Sequence, residues 1–127
     1  MAGPKVYAFA KKVMVESCLR VLDPEGTAGK EKLRVLFRQV TKIVPHQANA
    51  RIIMGAAEDL ESQLDLTPGE AQEKMIITIE KYGNNSTASI PVALDESMRN
   101  GKLKRGDLVI MVGFGAGLTY AANLVRL

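Results

Sequence analysis

The chain has 127 residues, 46% of them hydrophobic and 24% charged, which is enough apolar content to bury the core of one domain. Seventeen basic and fourteen acidic side chains leave a formal charge of +3, spread along the sequence. So small an excess predicts neither nucleic-acid binding nor membrane attachment, but tolerates an acidic protein partner.

Aromatics are scarce, with three Phe, three Tyr and no Trp, which argues against a stacking platform for single-stranded nucleic acid. Cys18 is the only cysteine, so there is no disulfide framework, and a reducing, cytoplasmic compartment is expected. No run approaches the roughly 18 apolar residues of a membrane span.

Residues 5–22 place Val6, Phe9, Ala10, Val13, Ser17 and Val21 at helical spacing, with Lys11, Lys12, Glu16 and Arg20 opposite. "DPEG" closes that helix, and "EKLRVLFRQV" is a second, shorter helical pattern. "TKIVPH" reads as a short strand ended by Pro45. A long helix is expected from Asn49 to Leu64, with Ile52, Ile53, Ala56, Leu60 and Leu64 as its apolar stripe and Glu58, Asp59 and Glu61 mostly outside. "TPGE", residues 67–70, is a capping box with proline at the first helical position, so a short helix should follow.

"MIITIE", residues 75–80, is β-branched and mostly apolar and is expected to be a strand buried on both faces. After "YGNNSTAS" comes "IPVALDESMRN", a helix with Pro91 in its opening turns and Gly101 as its C-cap. "DLVIMVGFG" and "LTYAANLVRL" are strands joined by so short a connection that they should be antiparallel. Strands alternating with helices indicate an α/β layered domain around a mixed, mostly parallel sheet. The chain opens on a helix and closes on a strand with no polar tail, as if cut from something larger.

Three junctions carry unusual residues, each expected at the carboxyl end of a strand: "VPHQAN", "YGNNSTAS" and "GFGAG". In open α/β sheets that edge is where ligands bind. A lone histidine is as often a structural imidazole as a chemical one, but the place of His46 at a strand end, between Pro45 and Gln47, favours chemistry. With no second histidine and no cysteine nearby, it cannot build a metal site. An amide such as Asn84 can stabilise an oxyanion with no proton to lose, Gly83 allows close approach or a positive φ, and Asn85 reads as a helix cap. Ser86, Thr87 and Ser89 read as caps or core-facing hydroxyls, since no acid–base pair stands beside them. "GFGAG" lacks the Lys-Ser/Thr ending of an ATP-binding loop and joins two strands, so it fits either a tight hairpin or backbone packed closely on an active centre.

Taken together, "VPHQANARII", "YGNNSTASIPVALDE" and "GDLVIMVGFGAGLTYAANLVRL" resemble the C-terminal half of beta-ketoacyl-acyl carrier protein synthase III, the condensing enzyme that starts fatty acid synthesis. The likeness runs along nearly the whole chain, including "MAGPKVYAFA" at the start. It implies a thiolase-like half domain and a decarboxylative Claisen condensation of an acyl thioester with malonyl-carrier protein. By the resemblance, His46 and Asn84 match the catalytic histidine and asparagine, which bind the malonyl thioester carbonyl. Gly115 and Gly117 match the glycine-rich loop at the catalytic centre, where a Gly-Gly-Gly run has become Gly115-Ala116-Gly117. Arg51 matches a basic residue near the carrier-protein docking surface, Glu58 stands where some members are basic, and Tyr82 replaces a histidine that often precedes Gly-Asn.

The family's nucleophilic cysteine belongs to the N-terminal half, which is expected to be absent here. Cys18, inside an amphipathic helix, reads as a buried small residue. The resemblance implies no cofactor and no metal. Its partners would be acyl carrier protein, acyl-CoA or malonyl thioesters, and either a second copy of the chain or a separate N-terminal half. A truncated inactive product, a noncatalytic subunit of a full-length relative and a related acyltransferase of secondary metabolism all remain open. Acyl chain length rests on residues outside this sequence.

Overall fold

The structure, a computed structural model, describes residues 3–84, 88–115 and 119–127. Helix α1 (Gly3–Leu22) packs against α3 (Ala50–Leu64), and α2 (Lys30–Gln39) contacts both. The face that α1 turns to the core is Ala10, Met14, Cys18 and Leu22, a regular i, i+4 row. Val13 and Ser17 are buried as well, whereas Phe9 and Val21 are only half-buried. Phe37 on α2 is wholly buried, which alone stabilises the packing by about 2–3 kcal/mol.

Three strands form one sheet in the order β1 (Lys42–Pro45), β2 (Leu108–Gly115), β3 (Thr119–Arg126). β1 and β2 are parallel, in register from Lys42 opposite Val109 to Pro45 opposite Val112. β2 and β3 are antiparallel from Leu108 opposite Arg126 to Gly115 opposite Thr119, as the short connection requires. Alternation divides the core in two. Ile110 and Val112 face the layer of α1 and α3, and Val109 joins Val44, Ala93 and Leu103 under α5 (Ser89–Arg99). The result is the expected mixed sheet with helical cover and a terminal antiparallel pair.

Three local readings need correction. "MIITIE" is not a strand. Met75 makes one parallel bridge to Ile43 and the Ile76 N–H donates to the Ile43 carbonyl at 2.9 Å, after which the chain turns at Thr78 into the short helix α4 (Ile79–Tyr82). The "TPGE" box is followed only by turns and a 3₁₀ segment, Gln72–Lys74, although Glu70 does reach back to accept from the Thr67 N–H at 3.1 Å. Glu61 lies inside rather than outside α3, accepting from the Ala71 and Gln72 N–H groups at 2.9 and 3.1 Å. Burial works against its charge, but the N–H groups of Gly69, Gln72 and Ala71 and the Gln72 amide outweigh it and hold the carboxyl below its ordinary value. The ends of α5 match expectation. Pro91 is its third residue and Gly101, with φ +83°, follows its C-cap Asn100.

Candidate active site

The parallel pairing of β1 and β2 brings their carboxyl ends side by side. The His46 N–H extends that pairing by one bond, donating to the Val112 carbonyl at 2.8 Å. His46 is half-buried, and its ring meets Phe114 edge to face, with centroids 5.2 Å apart and planes at 87°. Both rings line an open concavity of about 640 Å³, together with Gly113 and Gly115. A Cβ on Gly113 would sit 3.3 Å from Ile90 Cδ1 and 4.0 Å from His46 Cβ, so glycine keeps the space beside the imidazole open.

Two side chains fix this corner. Ser89, 2% exposed at the start of α5, lies with its Oγ 2.9 Å from His46 Nδ1 and accepts from the Gln47 N–H at 3.2 Å. The fully buried Gln47 carboxamide donates to the Pro45 and Ile76 carbonyls at 2.9 and 3.0 Å, and its Oε1 accepts from the Thr78 and Ile79 N–H groups at 2.8 and 3.1 Å. All four hydrogen-bonding positions of the amide are used. This is why "MIITIE" leaves the sheet: β1 ends at Pro45, and the Gln47 side chain takes the bonds that further strand residues would make.

Of the residues singled out from sequence, His46 and Gly115 come together on the concavity. Asn84 is exposed and follows Gly83, which takes φ +70° at the end of α4, so its corner follows a helix rather than a strand. Asn85, Ser86, Thr87, Ala116 and Gly117 lie outside the described residues. Arg51 sits exposed in the first turn of α3, its N–H donating to the N-cap Asn49 Oδ1 at 2.7 Å and its guanidinium carbon 5.8 Å from the Tyr7 ring centroid. Cys18 is fully buried and burial pushes its thiol up to about 12, so this cysteine is no nucleophile.

Sequence reasoning did not assign Ser89, Gln47 or Phe114 to this corner. The surplus of hydroxyls in "YGNNSTAS" was a signal for the first, but its partner lies 43 residues away. Chemically, an imidazole can donate or accept hydrogen bonds through its ring nitrogens, and this one borders an open concavity. Among the described residues there is no group of His, Cys, Asp or Glu that could hold a metal ion, and no helix is long and apolar enough to cross a membrane.

Residues 31–127 match the family model described as 3-oxoacyl-[acyl-carrier-protein (ACP)] synthase III C terminal. The chain is 46% identical over 126 residues to beta-ketoacyl-[acyl-carrier-protein] synthase III of Clostridioides difficile (strain 630), covering 99% of this chain and 34% of that protein. Its fold is similar to the crystal structure of 3-oxoacyl-[acyl-carrier-protein] synthase III from Aquifex aeolicus, with TM-score 0.77, 41% identity and coverage of 100% of this chain and 36% of that one. It is also similar to a priming beta-ketosynthase from a polyketide biosynthetic pathway, with TM-score 0.75, 32% identity and coverage of 100% and 34%. The chain thus spans about a third of the length of the curated relatives it matches. With the family model covering residues 31–127 and the fold matching solved members along the whole chain, the chain belongs to the beta-ketoacyl-[acyl-carrier-protein] synthase III family, as a C-terminal portion of that kind.

Proposed function

We propose that this chain supplies the decarboxylating side of a condensing enzyme, with the acyl-carrying cysteine coming from outside these 127 residues. The observation that carries the reading is the placement of His46, in a chain of this family, at the end of β1, against Ser89 and Phe114 and beside an open concavity. In this reading the malonyl thioester carbonyl accepts hydrogen bonds from His46 and the Asn84 amide. The bond to the carboxylate breaks, carbon dioxide leaves, and the electron pair forms an enolate whose oxygen the two neutral donors stabilise. The enolate carbon then attacks the acyl thioester, a carbon–carbon bond forms, and the cysteine thiolate is expelled.

Gly115, which lines the concavity with His46, leaves room there for the reacting carbonyls. Arg51, exposed at the start of α3, offers a cation to an acidic carrier protein.

The test is a chimera in which this chain replaces the corresponding C-terminal third of the C. difficile relative. Carbon dioxide release from malonyl-carrier protein should fall by about 10²–10³ in His46→Ala and in Asn84→Ala, as for loss of one oxyanion donor. Release unchanged by both substitutions would overturn the assignment.

A further inference from the structure

We propose that Ser89 is a positioning residue that holds His46 in the neutral tautomer protonated at Nε2. Among the described residues the hydroxyl has two polar partners, the Gln47 N–H at 3.2 Å and His46 Nδ1 at 2.9 Å. The Gln47 N–H can only donate, so it occupies a lone pair of Oγ. The remaining question is where the serine proton points.

Were Nδ1 protonated, both neighbours would donate to Oγ, and the hydroxyl hydrogen would be left unsatisfied on a side chain only 2% exposed. With Nδ1 unprotonated, Oγ accepts from Gln47, donates to Nδ1, and every hydrogen is used. The ring proton is then on Nε2. The donor order is thus read from a chain of bonds, backbone N–H to serine to imidazole.

The backbone end of that chain is rigid. The Gln47 amide is anchored through its own side chain to Pro45, Ile76, Thr78 and Ile79, and the Ser89 Cα is built into the first turn of α5. Ser89 is one residue from Ile90, which with His46 lines the concavity, so α5 carries the tautomer control and a wall of the site together. The consequence for reactivity rests on the function proposed above. An Nε2–H imidazole is a neutral donor suited to an oxyanion, whereas the other tautomer would present a lone pair and repel it.

His46 is the only histidine, so the imidazole ¹⁵N signals of the labelled chain need no assignment. Long-range ¹H–¹⁵N correlation above the usual imidazole pKa should show a pyridine-like Nδ1 and a pyrrole-like Nε2. A pyrrole-like Nδ1 would overturn the proposal without any variant. In Ser89→Ala the two signals should move towards a tautomer average, and Ser89→Thr, which keeps the hydroxyl, should restore them. An unchanged pattern in a folded Ser89→Ala would also overturn it.

In the chimera, Ser89→Ala should lower kcat for carbon dioxide release by about tenfold or more, leave KM unchanged, and be rescued by threonine. A locked Nε2–H tautomer together with decarboxylation indifferent to His46→Ala would leave the positioning role standing and sink the functional reading instead.

Discussion

Gln47 Oε1 lies 2.8 Å from the Thr78 amide nitrogen, just beyond the single bridge, Ile43 to Met75, that pairs these two segments of chain. The same carboxamide bonds three further backbone groups, the Pro45 carbonyl at the end of β1 and the Ile76 carbonyl and Ile79 N–H on the segment that leads into α4. Replacing it by leucine removes two donors and two acceptors from backbone partners in a buried corner. Gln47→Leu should cost about 3 kcal/mol or more, read as a lower denaturant midpoint at unchanged m-value. A loss below about 1 kcal/mol would mean that water or a rearranged backbone satisfies those groups.

Acid should weaken the fold through a defined pair. Arg38 holds Glu70 with two bonds, Nε to Oε2 at 2.8 Å and Nη2 to Oε1 at 3.1 Å, and that contact, helped by the Thr67 N–H, lowers the Glu70 carboxyl to about 2. A carboxyl depressed on folding stabilises the native state above its ordinary value of 4.5, and the contribution is lost as pH falls from there towards about 2. Glu61, also lowered, acts in the same direction. Stability measured against pH should therefore slope down through this window, and Glu70→Gln should flatten part of the slope. An identical slope in the variant would contradict the pairing.

The four longer helices and the three strands of the sheet were legible in the sequence because their signals are local: the helical spacing of apolar residues in α1 and α3, Pro45 at the end of β1, and the short connection between β2 and β3. "MIITIE" misled because β-branched residues satisfy a strand pattern whether or not a neighbouring strand is available to pair with. Here β1 stops at Pro45, and a glutamine side chain stands in for the missing ladder. Glu61 misled because its burial depends on N–H groups ten and eleven residues further on. His46 stood out as the only histidine at a strand end, but the serine that orients it could be joined to it only once the fold brought α5 beside β1.

Gly101 should resist substitution for a backbone reason alone. Its φ is +83° and a Cβ there would meet nothing within 4 Å. Gly101→Ala should destabilise by about 1 kcal/mol, with Gly101→Asn costing less, because asparagine tolerates the left-handed region better. Equal stability of the alanine variant in thermal unfolding would show that the α5 C-cap relaxes freely.

Cys18 should be silent towards thiol reagents while the chain is folded. Wholly buried and pushed up to about 12, it has neither access nor thiolate. Modification by a disulfide reagent should follow the rate of global unfolding as denaturant is added. Rapid labelling in native buffer would contradict the packing of α1 against α3.

The central claim is that this chain completes a condensing site whose nucleophile lies elsewhere, and the direct measurement is product formation from two separate polypeptides. The purified chain would be mixed or co-expressed with an N-terminal portion of a relative carrying the cysteine, given acetyl-CoA and malonyl-carrier protein, and the ketoacyl product followed by mass spectrometry. The account predicts product only when both parts are present, and its loss in His46→Ala. Product from this chain alone, or from the N-terminal portion without it, or undiminished product in His46→Ala, would contradict the claim.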